Sequence, residues 1–363
     1  MNIKMSTLIH MIQAVKYNLL KIPVFLLFFI YVANSVMAAK TDILFLSDEI
    51  IRMELRSDFS AIQKGRAENP EYYNGELIYY TPDGKTTKLS VKVMSRGIFR
   101  RNPANCSFPP LFVNFKKNEV KNTIFDSQDK LKLVTPCQEE EDLIEEYVIY
   151  KMYNQVTDLS MKVRLAKILY FDTGTGEEVF EKYSFFIEDK EKVAERNNVI
   201  AKDRFLTPFD LNRENFKRMS VFQYLIGNKD WYVTSRKNIV IMQPNDTIME
   251  PFAVPYDFDF SGFVDAEYSK PKGVPEHLLI SKRVYKGICY TDDEFKDIFA
   301  FYRELRPVFE SIINNQELIS KYRRKQILRY INDFYTVIKS NELIKREFLN
   351  VCETRKDYNI FDV

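Results

Sequence analysis

The chain has 363 residues, of which 45% are hydrophobic, and its 53 lysines and arginines nearly balance its 51 aspartates and glutamates. That size suffices for one large core or two linked cores. The balanced charge argues against a nucleic-acid partner, which normally needs a concentrated basic face. Of the two histidines, only His277 lies beyond the amino-terminal segment, which argues against histidine-rich zinc sites and a Ser-His-Asp triad. We therefore expect carboxylates to carry any chemistry.

The amino-terminal segment has the features of an export signal. Three lysines precede an uncharged run of 18 residues, 22–39, and small residues at its end predict cleavage between Ala38 and Ala39. The run also reaches the lower length limit of a membrane-spanning helix, so an uncleaved anchor is the alternative. Removal of the predicted signal, 1–38, changes the formal charge from +2 to about −1. We expect a periplasmic, cell-surface or extracellular protein with no membrane contact beyond this signal.

Four cysteines lie in the part of the chain that would be exported. They are Cys106, Cys137, Cys289 and Cys352. An even number in an oxidising compartment permits disulfides, and three pairings are possible. No two of them are close enough in sequence to indicate a zinc ribbon. The alternative is that some of them are buried thiols.

The first half of the chain has the patterns of a sheet interrupted by one helix. An amphipathic stretch, 43–57, precedes a predicted hairpin whose strands, 76–80 and 88–94, are separated by a turn at Pro82-Asp83-Gly84. Apolar residues at helical spacing predict a helix over 140–156, and its acidic start is typical of a first helical turn. Further strands are predicted at 111–115, 130–134, 164–171 and 183–188.

After Lys190 the pattern changes to helices. The predicted elements are a helix at 213–226, short strands at 238–242 and 252–255, and helix from Thr291 almost to the end. Pro307 is expected to kink or interrupt that last helix, and the basic run 323–325 is interpreted as a solvated face. Together the patterns predict an α+β fold with a sheet-rich amino-terminal lobe, 39–195, and a helical carboxy-terminal lobe, 196–363.

The segment 226–262 has the residues best suited to chemistry. Asp230 and Asn238 straddle the start of one predicted strand, while Asp257 and Asp259 follow the next. A hairpin would bring these oxygens together, and hard oxygen ligands suit Mg²⁺ or Mn²⁺, which in turn hold phosphates. In phosphoryl transfer one Asp orients the attacking hydroxyl, while an Asn and a second Asp hold metal. The simpler interpretation is a capped turn and a polar strand end.

A series of short motifs spans about residues 88–265: Ser95-Arg96-Gly97 with Arg100-Arg101, Pro109-Pro110-Leu111-Phe112, Glu145-Glu146-Tyr147, Phe186-Ile187-Glu188-Asp189, Gly227-Asn228-Lys229-Asp230-Trp231, Lys237-Asn238 and Pro255-Tyr256-Asp257-Phe258-Asp259. In this order they resemble the CotH family of spore-coat-type atypical kinases. The resemblance implies a two-lobed, protein-kinase-like fold. It also implies ATP with Mg²⁺ or Mn²⁺ as cofactors and a protein or small hydroxyl compound as phosphoryl acceptor.

The resemblance implies a role for each matched residue. Asp230 would be the acidic residue of the catalytic loop, and Asn238 and Asp257 would be metal ligands. Asp259 would be either a second metal ligand or a structural carboxylate. Glu188 stands where the family has a hinge-like acid next to the nucleotide.

The motifs depart from the family pattern at the cation that binds the phosphates. A pair of prolines stands where a lysine is usual, so Arg96, Arg100 or Lys132 is expected to serve instead. Either Glu145 or Glu146 is expected to pair with that cation. The departure supports a second hypothesis, a kinase-like surface module that has lost catalysis and only binds or scaffolds. A third hypothesis is a hydrolase that uses the same carboxylates with metal to cleave a phosphoester.

Overall fold

The computed structural model describes residues 42–66, 70–81, 84–270 and 283–358. The predicted signal and the Pro82-Asp83 turn lie outside the described residues. None of the helices in the described part of the chain combines the length and apolar character that crossing a membrane requires.

Seven strands in the described amino-terminal part form a closed barrel. They are β1 (Ile51–Ser57), β2 (Tyr73–Tyr80), β3 (Thr86–Ser95), β4 (Leu111–Phe115), β5 (Lys130–Val134), β6 (Val163–Asp172) and β7 (Glu177–Ile187). Their order is β1-β2-β3-β4-β5-β7-β6. The barrel closes through parallel pairing of β6 with β1, in which Ile51 lies beside Ala166. The other neighbouring strands are antiparallel.

Alternating apolar residues explain why these segments become barrel strands. In β4, Leu111, Val113 and Phe115 are buried while the residues between them are partly exposed, because successive side chains of a strand point to opposite faces. Phe125 and Phe186 meet edge to face in the interior at 5.6 Å between ring centroids. The barrel thus has its own apolar core.

Two helices belong to this barrel part, α1 (Phe59–Gly65) and α2 (Glu140–Tyr153). The carboxylate of Asp172 accepts hydrogen bonds from the amides of Phe59 and Ser60 at the start of α1. Helix α2 begins with three acidic residues and is buried along most of its length. It lies against β6 and β7 on one side and against the carboxy-terminal helices on the other.

The carboxy-terminal part contains helices and one small antiparallel sheet. The helices are α3 (Lys190–Arg196), α4 (Arg213–Ile226), α5 (Asp292–Asn314), α6 (Lys321–Val337) and α7 (Asn341–Ile344). The sheet has the order β10-β9-β8, with β8 (Val199–Lys202), β9 (Ile239–Pro244) and β10 (Phe252–Pro255). Helix α4 ends at Gly227, which has a φ of 68°. A Cβ atom there would lie 1.9 Å from the hydroxyl of Tyr330, so only glycine fits.

The α+β class is confirmed, with a seven-strand mixed sheet in the amino-terminal part and helices toward the carboxy terminus. The expected interruption at Pro307 is wrong, because α5 continues through it. Pro307 lies on the exposed side of the helix, where water can satisfy the carbonyl that loses its partner. Sequence patterns also missed α1, α3 and β8, all of which are short.

All four cysteines form disulfides. Cys106 pairs with Cys137, and Cys289 pairs with Cys352, with Cα–Cα distances of 4.6 and 4.9 Å. The alternative of buried free thiols is therefore wrong. Two disulfides fit an oxidising environment of the kind exported proteins meet.

Candidate functional site

The loop after α4 is held by a buried asparagine and the single tryptophan. The side-chain oxygen of Asn228 accepts a hydrogen bond from the amide of Asp230 at 2.9 Å. The indole of Trp231 donates to the carbonyl of Asn228 at 3.2 Å and is 2% exposed. Both contacts tie residues after the helix back to Asn228 and shape the loop that carries Asp230.

Asp230 and Asn238 are in direct contact. The side-chain amide of Asn238 donates to the carbonyl of Asp230 at 2.7 Å and to its carboxylate at 3.1 Å. Lys237 forms an ion pair with the other carboxylate oxygen. Asn238 has a φ of 55°, a left-handed conformation that Asn tolerates better than most residues. Both hydrogen bonds from Asn238 use its side-chain nitrogen, so its side-chain oxygen can still accept a bond or bind a metal.

The β9–β10 hairpin places Asp257 beside this pair. Ile239 lies opposite Pro255, and the amide of Tyr256 donates to the carbonyl of Asn238 at 3.1 Å. The amide of Asp257 donates to the hydroxyl of Tyr150 on α2 at 2.9 Å. Among the described residues no group donates a hydrogen bond to the Asp257 carboxylate. The hairpin therefore brings Asp230, Asn238 and Asp257 to one end.

Two cations from the barrel lie within electrostatic reach of Asp257. Burial lowers the pKa of Lys132 to about 8, and Arg96 adds to this effect while Asp257 opposes it. Burial likewise lowers the pKa of Arg96, again against the attraction of Asp257. The Nζ of Lys132 lies 4.7 Å from the centre of the Tyr256 ring. The buried Nε of Arg96 has no hydrogen-bond partner in the described part of the chain. An anionic group would compensate both cations.

A second, more deeply buried cluster is centred on Arg100. Its Nη1 lies 3.7 Å from Glu146 on α2 and 3.9 Å from Asp259. The hydroxyl of Tyr268 donates to Asp259 at 3.1 Å. Burial, followed by the nearby Asp257, raises the pKa of Asp259 to about 7. Burial and the nearby Asp259 also raise the pKa of Glu146. These contacts favour the structural role for Asp259 over that of a second metal ligand.

Of the two neighbouring glutamates on α2, Glu146 is the one that lies beside Arg100. Glu145 accepts hydrogen bonds from Arg323 at 2.6 and 2.8 Å. The interpretation of Arg323 as part of a solvated face is therefore wrong. Glu145 is 1% exposed, and a carboxylate removed from water requires a charged partner.

Glu188 lies at the end of β7, where the preceding residue pairs with Lys132. Its carboxylate accepts hydrogen bonds from the amide of Lys162 at 2.9 Å and from Arg196 on α3 at 2.9 and 3.0 Å. This carboxylate therefore already accepts three hydrogen bonds within the protein. The nucleotide-binding role of Glu188 stays a prediction.

The oxygen atoms at the hairpin end are too few to bind a metal ion by themselves. They suit a metal ion that is also bound by the phosphates of a ligand. In the described ranges no three Asp, Glu, His or Cys side chains are grouped closely enough to hold a metal ion. Asp257 and the side-chain oxygen of Asn238 would supply at most two hard oxygen ligands. Mg²⁺ is usually bound by one or two carboxylates together with substrate phosphates and water. The pair therefore fits a metal–nucleotide complex.

Sequence reasoning missed two tyrosines of the site. Tyr150 lies one helical turn after Glu146 on α2, so its presence on the same face could have been found from the spacing. Tyr268 has no such signal, because its contact with Asp259 depends on the turn at Glu267–Ser269. No protein-family model matches the sequence, and no curated protein matches it either.

Proposed function

We propose that the chain is an exported phosphotransferase of the CotH kind, which uses ATP with Mg²⁺ or Mn²⁺ to phosphorylate a protein or a small hydroxyl compound. The observation that supports this most is the contact of Asp230 with Asn238 at the hairpin end that carries Asp257. In the described part of the chain, the Asp257 carboxylate accepts no hydrogen bond. A proton acceptor, an amide oxygen and a metal-binding carboxylate are the groups that phosphoryl transfer needs at one place.

The position of the site also fits a two-lobed, kinase-like arrangement. The barrel supplies Arg96 from the end of β3 and Lys132 from β5, while the carboxy-terminal part supplies the hairpin. Helix α2 connects them, because Tyr150 binds the amide of Asp257 and Glu146 faces Arg100. In this proposal the nucleotide phosphates lie between the barrel cations and Asp257.

Each residue then has a defined task. Asp230 accepts the proton of the acceptor hydroxyl, and Asn238 orients its carboxylate. Arg96 and Lys132 bind phosphate oxygens, which adds negative charge beside two cations that have lost much of their hydration. Asp257 and Asn238 would hold the metal, which when bound neutralises charge on the phosphates.

A binding module without catalysis is the second candidate. Lys237 forms an ion pair with Asp230 and occupies one of the oxygens that would receive the proton. The prolines at the usual lysine position point the same way. In this case the site would bind nucleotide without transferring phosphate.

The test compares the wild-type protein with Asp257→Ala, each purified from the exported fraction of the expression host. Phosphate incorporation from labelled ATP with Mn²⁺ or Mg²⁺ is measured on the protein itself and on a generic acceptor. Asp246→Ala, at the exposed turn of the same hairpin, is the matched control. Incorporation by wild type and control, but not by Asp257→Ala, supports a phosphotransferase. Metal-dependent ATP binding without incorporation supports the binding module. If the wild-type protein neither incorporates phosphate nor binds ATP, both candidate functions are wrong.

A further inference from the structure

A lysine outside the predicted site binds the loop that carries Asp230. The Nζ of Lys286 donates to the carbonyl of Lys229 at 3.0 Å and to the carbonyl of Trp231 at 2.6 Å. These are the carbonyls of the two residues that flank Asp230 in the sequence. The same ammonium group lies 3.3 Å from the centre of the Tyr232 ring. One cation thus contacts the residues on both sides of the proposed proton acceptor, Lys229 before it and Trp231 and Tyr232 after it.

An arginine three residues earlier holds the helix that precedes this loop. The Nε of Arg283 donates to the carbonyl of Leu225 at 3.1 Å, in the last turn of α4. Its Nη2 donates to the carbonyl of Tyr330 on α6. We call residues 283–289 the strap, because its two cations bind main-chain carbonyls from 225 to 231.

The strap is itself anchored, so it can hold the loop in a defined position. Gly287 packs so tightly that a Cβ atom there would lie 2.3 Å from the hydroxyl of Tyr285 and 2.7 Å from that of Ser220. Its carbonyl accepts a hydrogen bond from the amide of Glu353 at 2.9 Å. The Cys289–Cys352 disulfide joins the end of the strap to the same carboxy-terminal segment.

We propose that Lys286 is a positioning residue for phosphoryl transfer, which fixes the main chain on both sides of Asp230 and thereby the direction of its carboxylate. This inference rests on the proposed function. Two charged hydrogen bonds to the carbonyls of Lys229 and Trp231 restrain the loop more than neutral contacts do. Burial lowers the pKa of Lys286 to about 8, whereas the carboxylates of Glu353 and Asp230 favour its charged form.

The test uses Lys286→Met and Lys286→Arg in the full chain. Lys217→Met is the control, because Lys217 is a buried lysine that pairs with Glu214 at 2.6 Å and lies 5.6 Å from the Tyr290 ring, yet does not contact the loop. For Lys286→Met we expect kcat to fall by about 10- to 100-fold, the effect of misplacing a catalytic group by about 1 Å. The KM for ATP should not change, and Lys286→Arg should recover part of kcat because its guanidinium can also donate to two carbonyls.

Amide hydrogen exchange provides a readout that does not depend on activity. Exchange at residues 229–232 should be faster in Lys286→Met and unchanged in Lys217→Met. A Lys286→Met protein with wild-type kcat, or with exchange at 229–232 no faster than in the control, would overturn the inference. A wild-type protein that transfers no phosphate would overturn the proposed function instead. The exchange comparison would still decide whether Lys286 fixes the loop.

Discussion

Arg323 on α6 and Glu145 on α2 form a two-point ion pair across 178 positions of the chain. The Nε of Arg323 lies 2.6 Å from one carboxylate oxygen and its Nη2 lies 2.8 Å from the other. The same Nη2 also donates to the carbonyls of Phe263 and Val264. One side chain therefore connects α6, the helix next to the barrel and the segment after the Asp257–Asp259 strand end.

Removal of this arginine should destabilise the whole protein. Arg323→Met leaves Glu145 buried without its partner, which should lower the free energy of unfolding by about 3 kcal/mol, the low end for a broken buried ion pair because Glu145 can take up a proton. Urea unfolding followed by circular dichroism measures the change. Lys325→Met, an exposed neighbour on the same helix, is the control. Equal unfolding midpoints for the two variants would contradict this prediction.

Elements that depend on neighbouring residues could be predicted from the sequence. Strands β4 and β5 and helix α4 have the predicted bounds, because alternation and helical spacing are local patterns. Closure of the barrel could not be predicted in this way. It depends on parallel pairing of β1 with β6, whose residues are far apart in the chain. A basic run such as 323–325 likewise indicates a solvated face until its distant acidic partner is known.

The same distinction applies to the candidate site. The contact between Asp230 and Asn238 was predictable, because both lie in the short segment that leads into the first strand of the hairpin. Partners that depend on tertiary packing were not. Asp259 is bound by Tyr268, and Glu188 is bound by Arg196 from the next helix. Neither contact has a periodic signal in the sequence.

Replacement of Asp230 should impair phosphate transfer, whereas replacement of Asp257 should impair ATP binding. Asp230→Asn removes the proton acceptor but leaves the metal ligands, so transfer should fall by about 10²- to 10⁴-fold while ATP binding persists. Asp257→Asn should weaken ATP binding itself in the presence of Mg²⁺ or Mn²⁺. Calorimetric titration with a non-hydrolysable ATP analogue, alongside the transfer assay, separates the two. Identical loss of binding in both variants would argue against the assigned roles, and Asp246→Asn controls for loss of an acid on the same hairpin.

ATP affinity should decrease as the pH rises through about 8. Burial lowers the pKa of Lys132 from its ordinary value of 10.5 to about 8, so the ammonium loses its proton in this range. Only the protonated form attracts phosphate, and bound phosphate favours that form. Lys132→Met should bind ATP more weakly at pH 7 and lose the pH dependence between pH 7 and 9. A wild-type affinity that is constant over this range would contradict the prediction.

The same shift has a consequence for stability, with the opposite sign. The unfolded chain keeps the Lys132 proton up to about pH 10.5, whereas the folded protein releases it near pH 8. Between these values the unfolded state binds more protons, so the contribution of Lys132 to stability rises with pH. We therefore expect the unfolding free energy of the wild type to increase relative to that of Lys132→Met as the pH rises from 7 to 9. The measurement is made without ligand. A constant difference would show that burial does not perturb this lysine.

The two disulfides should contribute similarly to stability but differently to activity. Their Cys residues are separated by 31 and 63 positions, and loops of these lengths predict a stabilisation of roughly 4 kcal/mol in each case. Cys289–Cys352 also anchors the strap, whereas Cys106–Cys137 lies beside the barrel. The Cys289→Ser/Cys352→Ser double variant should therefore lower kcat and speed exchange at 229–232, while Cys106→Ser/Cys137→Ser should leave exchange there unchanged. Because the two variants are matched in expected stability, a loop effect of equal size in both would reflect general destabilisation and would remove the reason to link the disulfide to Asp230.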